Sequence, residues 1–173
     1  MPAENACIHF EPVEEMHLPM LSRWLREPHV RKWWGDPETE IELIRTGQAE
    51  GEVDAYIAHF NGAPAAYIQG WHPSDRDEES WVKDMPPDTV GVDMFIGTPE
   101  MTGRGTGSRI LRAFARMLFE AGVPRLVIDP DGENGSAIAA FARAGFVKFA
   151  EHRDSKGVTV LMEMTPRTFS RIL

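Results

Sequence analysis

The stretch TVGVDMFIGTPEMTGRGTGSRILRAFARMLFE, residues 89–120, decides the fold, because its hydrophobic period changes within it. Residues 89–97 (TVGVDMFIG) are β-branched and apolar around a single carboxylate, Asp93, and predict a buried strand. From about 106 to 121 the apolar residues Ile110, Leu111, Phe114 and Leu118 fall on one face, predicting an amphipathic helix. Between strand and helix lies a turn with Gly103, Gly105 and Gly107. Lacking Cβ, these residues let the chain turn tightly and bring successive backbone N–H groups against an anion. The N-terminus of the helix adds unpaired amides and partial positive charge, and Arg104 and Arg109 add full charges. That is the chemistry of a pyrophosphate cradle, although alternating glycines alone equally describe a flexible turn. Two nucleotide loops fit poorly. A Walker loop needs Gly-Lys-Ser/Thr after its glycines, and GRGTGSRI has none. A dinucleotide fingerprint reads GxGxxG at the first βα turn, whereas this GxGxG comes late in the chain.

Working outward, residues 125–129 (RLVID) read as a short apolar strand, followed by a helix over about 134–144 with Asn134 as N-cap and Gly145 as its stop. Strands at 146–152 and 158–164 enclose a turn at Asp154–Gly157, and 166–173 closes as a short helix. Toward the N-terminus, 53–60 and 64–71 flank Asn61-Gly62, a two-residue hairpin signal. A polar helix is expected near 37–49 and an amphipathic one near 14–26, closed by Pro28. Residues 6–10 supply a first strand. The segment from His72 to Asp88 is a long loop rich in acid (Asp75, Asp77, Glu78, Glu79, Asp84, Asp88); loops of such length are often functional. The order β-α-α-β-β-β-α-β-α-β-β predicts one mixed α/β domain over residues 1–173.

Composition narrows the function. Eighteen basic against 27 acidic residues give a net charge of −9, which argues against binding a phosphate backbone. No apolar run approaches the roughly 18 residues of a membrane span, and MPAENACIHFEP lacks the pattern of a secretory signal. The chain therefore reads as cytoplasmic. A lone Cys7 supports neither an internal disulfide nor a cysteine zinc cluster, and the six histidines show no ligand spacing, so no metal is expected.

The glycine turn and the later IDPDGENGSAIAAFARAGF (residues 128–146) together resemble the GNAT superfamily of N-acetyltransferases. Its acetyl-CoA loop has the form Gln/Arg-x-x-Gly-x-Gly/Ala after the fourth strand, and Gly105 and Gly107 fill the glycine positions. Its second signature, Asn-x-x-Ala-x-x-x-Tyr-x-x-x-Gly-Phe, is met by Asn134, Ala137, Gly145 and Phe146. The matching order of elements covers residues 53–164. The resemblance implies a single GNAT-like domain, a mixed and mostly antiparallel central sheet flanked by helices, with acetyl-CoA as co-substrate. It assigns the cofactor to Phe95, Ile96, Gly103, Arg104, Gly105, Thr106, Gly107, Ser108, Asn134 and Phe141. Two residues depart from the pattern. Thr102 stands where Gln or Arg is usual, and Phe141 stands where many members have a tyrosine able to protonate the leaving thiolate.

Within the superfamily, Trp33-Trp34-Gly35, the strand Gly91-Val92-Asp93 and Asp129-Pro130 ahead of Asn134 are similar to the aminoglycoside 6′-N-acetyltransferases, by order and spacing over residues 10–164. That resemblance implies a polycationic amine substrate, for which carboxylates and aromatic walls are the fitting chemistry. Asp93 is then the catalytic base or orienting group. Asp129 binds substrate, and Trp33, Trp34 and Trp81 form walls of its site. Each has a plain alternative: a satisfied buried carboxylate for Asp93, a turn residue for Asp129, core packing for the tryptophans, a solvated surface for the loop acids. In the implied mechanism, acetyl passes directly from thioester to amine while backbone amides of 94–96 face the developing oxyanion. Rival readings are acetylation of a siderophore lysine, a polyamine or a protein N-terminus, and a CoA-binding sensor without catalysis. Exposed strands late in the chain leave a homodimer open.

Overall fold

The computed structural model describes residues 6–73 and 81–171. Among the described residues seven strands form one sheet: β1 (Ile8–Pro12), β2 (Val53–Phe60), β3 (Ala63–Trp71), β4 (Thr89–Ile96), β5 (Arg125–Ile128), β6 (Val147–Asp154) and β7 (Gly157–Met164), in the order β1-β2-β3-β4-β5-β7-β6. β1 runs antiparallel to β2, and β7 antiparallel to both β5 and β6, whereas β4 and β5 are parallel. This is the expected mixed, mostly antiparallel sheet of an α/β fold. The helices are α1 (Leu18–Arg26), α2 (Pro28–Trp34), α3 (Pro37–Glu50), α4 (Thr106–Glu120), α5 (Gly135–Ala144) and α6 (Pro166–Ser170).

The chain divides into two compact units, one of residues 1–69 with 94–110 and one of residues 70–93 with 111–173. In the first, α1 buries Leu18, Leu21, Trp24 and Leu25, the helical stripe expected from sequence, after a 3-10 turn at Glu15–His17. Proline at position 28 removes an amide donor and holds the preceding residue extended. Glu27 accordingly has φ −62° and ψ 134°, so α1 stops there. The same proline fits the first turn of a helix, and α2 begins on it. α2 is one helix more than the sequence led us to expect. Asp36 caps α3 by accepting from Thr39 N at 3.0 Å. Asn61 and Gly62 adopt φ 52° and 85°, as a tight hairpin between β2 and β3 requires.

In the second unit Val92, Leu111, Phe114, Leu126, Val127 and Met164 are fully or nearly fully buried. Arg112 of α4 donates to Ala144 O at 2.9 Å and lies over the ring of Phe169 on α6, with 4.8 Å to its centroid. Asn134 caps α5 through Oδ1, which accepts from Ala137 N at 3.2 Å. No helix of the described residues is long and apolar enough to cross a membrane.

Candidate active site

The pairing of β4 sets up the site. It matches β5 residue for residue only over Thr89–Gly91, against Arg125–Val127, and then runs on from Val92 to Ile96 while β5 ends at Ile128. Side chains alternate along a strand, so Gly91, Asp93, Phe95 and Gly97 share one face. That face is aromatic. In the second unit the Trp71 ring lies where a Cβ on Gly91 would have to be, and Trp81 packs edge-on against Trp71, with 6.2 Å between centroids. In the first unit Phe95 meets Trp34 at 4.9 Å, Tyr67 at 5.3 Å and Trp24 at 6.4 Å, and the Trp24 ring fills the space over Gly97. Asp93 is the half-buried carboxylate on this strand face.

The glycine loop has the opposite character. Gly103 and Gly105 adopt φ 71° and 76°, a region that side chains resist, and a Cβ on either would meet nothing within 4 Å. The loop therefore turns into open space. Arg109 N donates to Gly105 O at 3.2 Å, starting α4, so the amides of Thr106 and Gly107 belong to the helix's first turn, where no intrahelical acceptor exists. Thr106 and Ser108 are buried and anchor that turn, while Arg104 is exposed beside it. Thr102 closes its hydroxyl onto Pro99 O at 2.7 Å, inside the loop. Open space at a helix start and a strand edge beyond its ladder are what a diphosphate with an extended arm requires, so the residues present fit CoA.

The remaining expected residues fall as follows. Trp33 is half-buried, with Lys32 Nζ 4.8 Å from its ring centroid; Trp34 stands edge-on to Phe95 and Tyr67. Trp81 is buried against Trp71. Asp129 is half-buried just beyond β5, in a loop tied to β7 by Val160 N donating to Pro130 O at 2.9 Å and Gly132 N to Val158 O at 2.7 Å. Phe141 is half-buried on α5. Asp75, Asp77, Glu78 and Glu79 of the acidic loop lie outside the described residues; Asp84 and Asp88 are exposed. Among the described residues no group of histidine, cysteine or carboxylate side chains could hold a metal ion. Sequence reasoning missed Trp71 and His29. Gly91 beneath a β-strand tryptophan left no local signal, and His29 reaches Ile96, distant in sequence.

Known proteins are similar to this chain in sequence and in fold. An aminoglycoside N(6′)-acetyltransferase type 1 from Klebsiella pneumoniae is 28% identical, with 96% of this chain and 87% of the relative aligned. The crystal structure of aminoglycoside acetyltransferase AAC(6′)-Ib in complex with coenzyme A and kanamycin superposes with a TM-score of 0.85 at 26% identity, covering 95% of this chain and 98% of that one. The lysine N-acyltransferase MbtK of Mycobacterium sp. (strain MCS) is 26% identical over 86% of this chain and 62% of its own length. The family model described as an acetyltransferase (GNAT) domain matches residues 13–154, and with that match over most of its length the chain belongs to the GNAT acetyltransferases.

Proposed function

We propose that residues 1–173 work as one cytoplasmic N-acetyltransferase domain that moves the acetyl group of acetyl-CoA onto the 6′-amine of an aminoglycoside. One observation carries the reading: a strand that outruns its neighbour, with Asp93 on it, leads into an open glycine turn at the head of a helix. The kanamycin-bound and Klebsiella relatives support the choice of amine.

Acetyl-CoA supplies the activated acyl group as a thioester. The amides around Gly105 and Gly107, with Arg104, hold its diphosphate, and the unladdered edge of β4 over Phe95 and Ile96 holds its extended arm. The family resemblance assigns Asn134 and Phe141, at the cap and on the body of α5, to the same cofactor. The resemblance assigns Trp33, Trp34 and Trp81 to the amine as aromatic surface and Asp129 to a substrate ammonium as a replacement for water. Asp93 orients the attacking amine and accepts its proton, directly or through water. Holding both reactants at once provides much of the acceleration. Phenylalanine has no proton to give, so with Phe141 at this position the departing thiolate is protonated by solvent, by another side chain or by the substrate's own ammonium.

The deciding measurement is CoA release from acetyl-CoA with kanamycin, a polyamine, N-hydroxylysine and an N-terminal peptide, with the product's acetylated nitrogen located by NMR. Turnover on kanamycin at the 6′-amine is expected. Turnover on N-hydroxylysine alone would move the chain to the class of the lysine N-acyltransferase. Tight CoA binding with no turnover on any amine would make it a sensor.

A further inference from the structure

The end of β4 carries a contact that this chemistry leaves unused. His29, in the first turn of α2, places Nε2 2.7 Å from the backbone oxygen of Ile96. The adjoining amide, Gly97 N–H, donates to Ala65 O at 2.8 Å, and Ala65 lies on β3. Across a trans peptide the carbonyl and the N–H point in opposite directions. The Ile96 oxygen is therefore turned away from β3, toward the edge on which β4 has left its ladder with β5. A carbonyl can only accept, so Nε2 of His29 carries the proton.

α2 is thus tied to β4 at both of its ends. At the first turn there is this directed hydrogen bond. At the last residue, Trp34 stands edge-on to Phe95 and Tyr67. Ring contacts tolerate sliding, whereas a 2.7 Å hydrogen bond sets direction and register. The bond is only partly buried, so water can replace the lost donor and the fold can survive without it. What would go is the orientation of the Ile96 peptide relative to the helix bearing Trp33 and Trp34.

We infer that His29 is a positioning residue for acetyl transfer, acting through the Ile96 peptide to hold the cofactor edge of β4 in register with α2. The inference rests on the proposed use of that edge by acetyl-CoA.

The test compares His29→Ala, His29→Phe and His29→Gln with the wild type, using CoA titration by calorimetry, steady-state kinetics and thermal melting. The expected result is a Kd for CoA and a KM for acetyl-CoA raised about tenfold in His29→Ala, the scale of one directed hydrogen bond. His29→Phe, which keeps a ring without a donor, should behave like His29→Ala. His29→Gln, which restores an N–H, should recover most of the loss, and the KM for the amine should change less than the KM for acetyl-CoA. All three should melt within about 3 °C of the wild type. Unchanged CoA affinity in His29→Ala, or rescue by Phe rather than Gln, overturns the inference while leaving the proposed function intact. A wild-type chain that binds no CoA overturns both.

Discussion

Glycine does opposite work at the two ends of the cofactor segment. On β4, Gly91 and Gly97 are glycine because tryptophan rings, Trp71 and Trp24, occupy the places their side chains would take. In the loop that follows, Gly103 and Gly105 are glycine because the backbone bends through positive φ into empty space. The first pair belongs to packing, where interiors tolerate no extra volume. Under the proposed function the second belongs to recognition, where room must be kept for a ligand and amides must face it. A glycine in this sequence therefore has no single meaning; its neighbours in space decide it.

The sharpest way to probe the filled face is through the charge it carries. Asp93→Asn keeps the shape of the side chain and removes its ability to accept a proton. A fall in kcat of about 10²–10⁴ is expected in an aminoglycoside acetylation assay, with Tm nearly unchanged. A fall of less than tenfold would assign Asp93 to packing along with its neighbours.

Next come the packed glycines. Gly97→Ala or Gly91→Ala forces a methyl group into an indole, and the cost should reach the upper part of the overpacking range, about 3 kcal/mol. In a chain of this length that lowers Tm by about 6–12 °C, readable by calorimetry. Near-native melting of either variant would mean that the rings move aside easily.

Gly105→Ala should reverse the pattern. Its methyl group meets nothing, so only the left-handed backbone resists, at about 1–2 kcal/mol, and Tm should drop by a few degrees. CoA binding, measured by titration, should weaken about tenfold as the amides turn away. If Gly105→Ala were as destabilising as Gly97→Ala with unaltered CoA affinity, the contrast between the two regions would be lost.

The smallest effect lies away from both, on β1. Glu11 accepts from His59 Nε2 at 2.8 Å and faces His17 Nε2 at 3.4 Å, and the His59 hydrogen bond above all holds its carboxyl below the ordinary range. A carboxyl with a depressed folded-state pKa contributes stability that is complete above its unfolded value, about 4.5, and is lost as pH falls through the folded value. The Tm advantage of wild type over Glu11→Gln should thus be present at pH 6 and shrink as the pH falls below about 4.5, with CoA affinity at neutral pH the same in both.

Much of this molecule is local chemistry. The Asn61-Gly62 turn, the Asn134 cap and the stripe of Ile110, Leu111 and Phe114 on α4 each rest on residues close together in sequence, and each forms where the amino acids predict. The strand, glycine turn and helix of residues 89–120 were legible for the same reason. α2 was not, because Pro28 both ends one helix and begins another, and a period too short to repeat gives the second helix no pattern to read.

The order of the strands, the glycine turn and the carboxylate on β4 were settled by the amino-acid sequence, because each follows from a few consecutive residues. Tertiary structure alone decided which rings cover Gly91 and Gly97, and that His29 closes on a carbonyl 67 positions along the chain. Such contacts depend on where whole strands and helices come to rest, and no stretch of neighbouring residues encodes that.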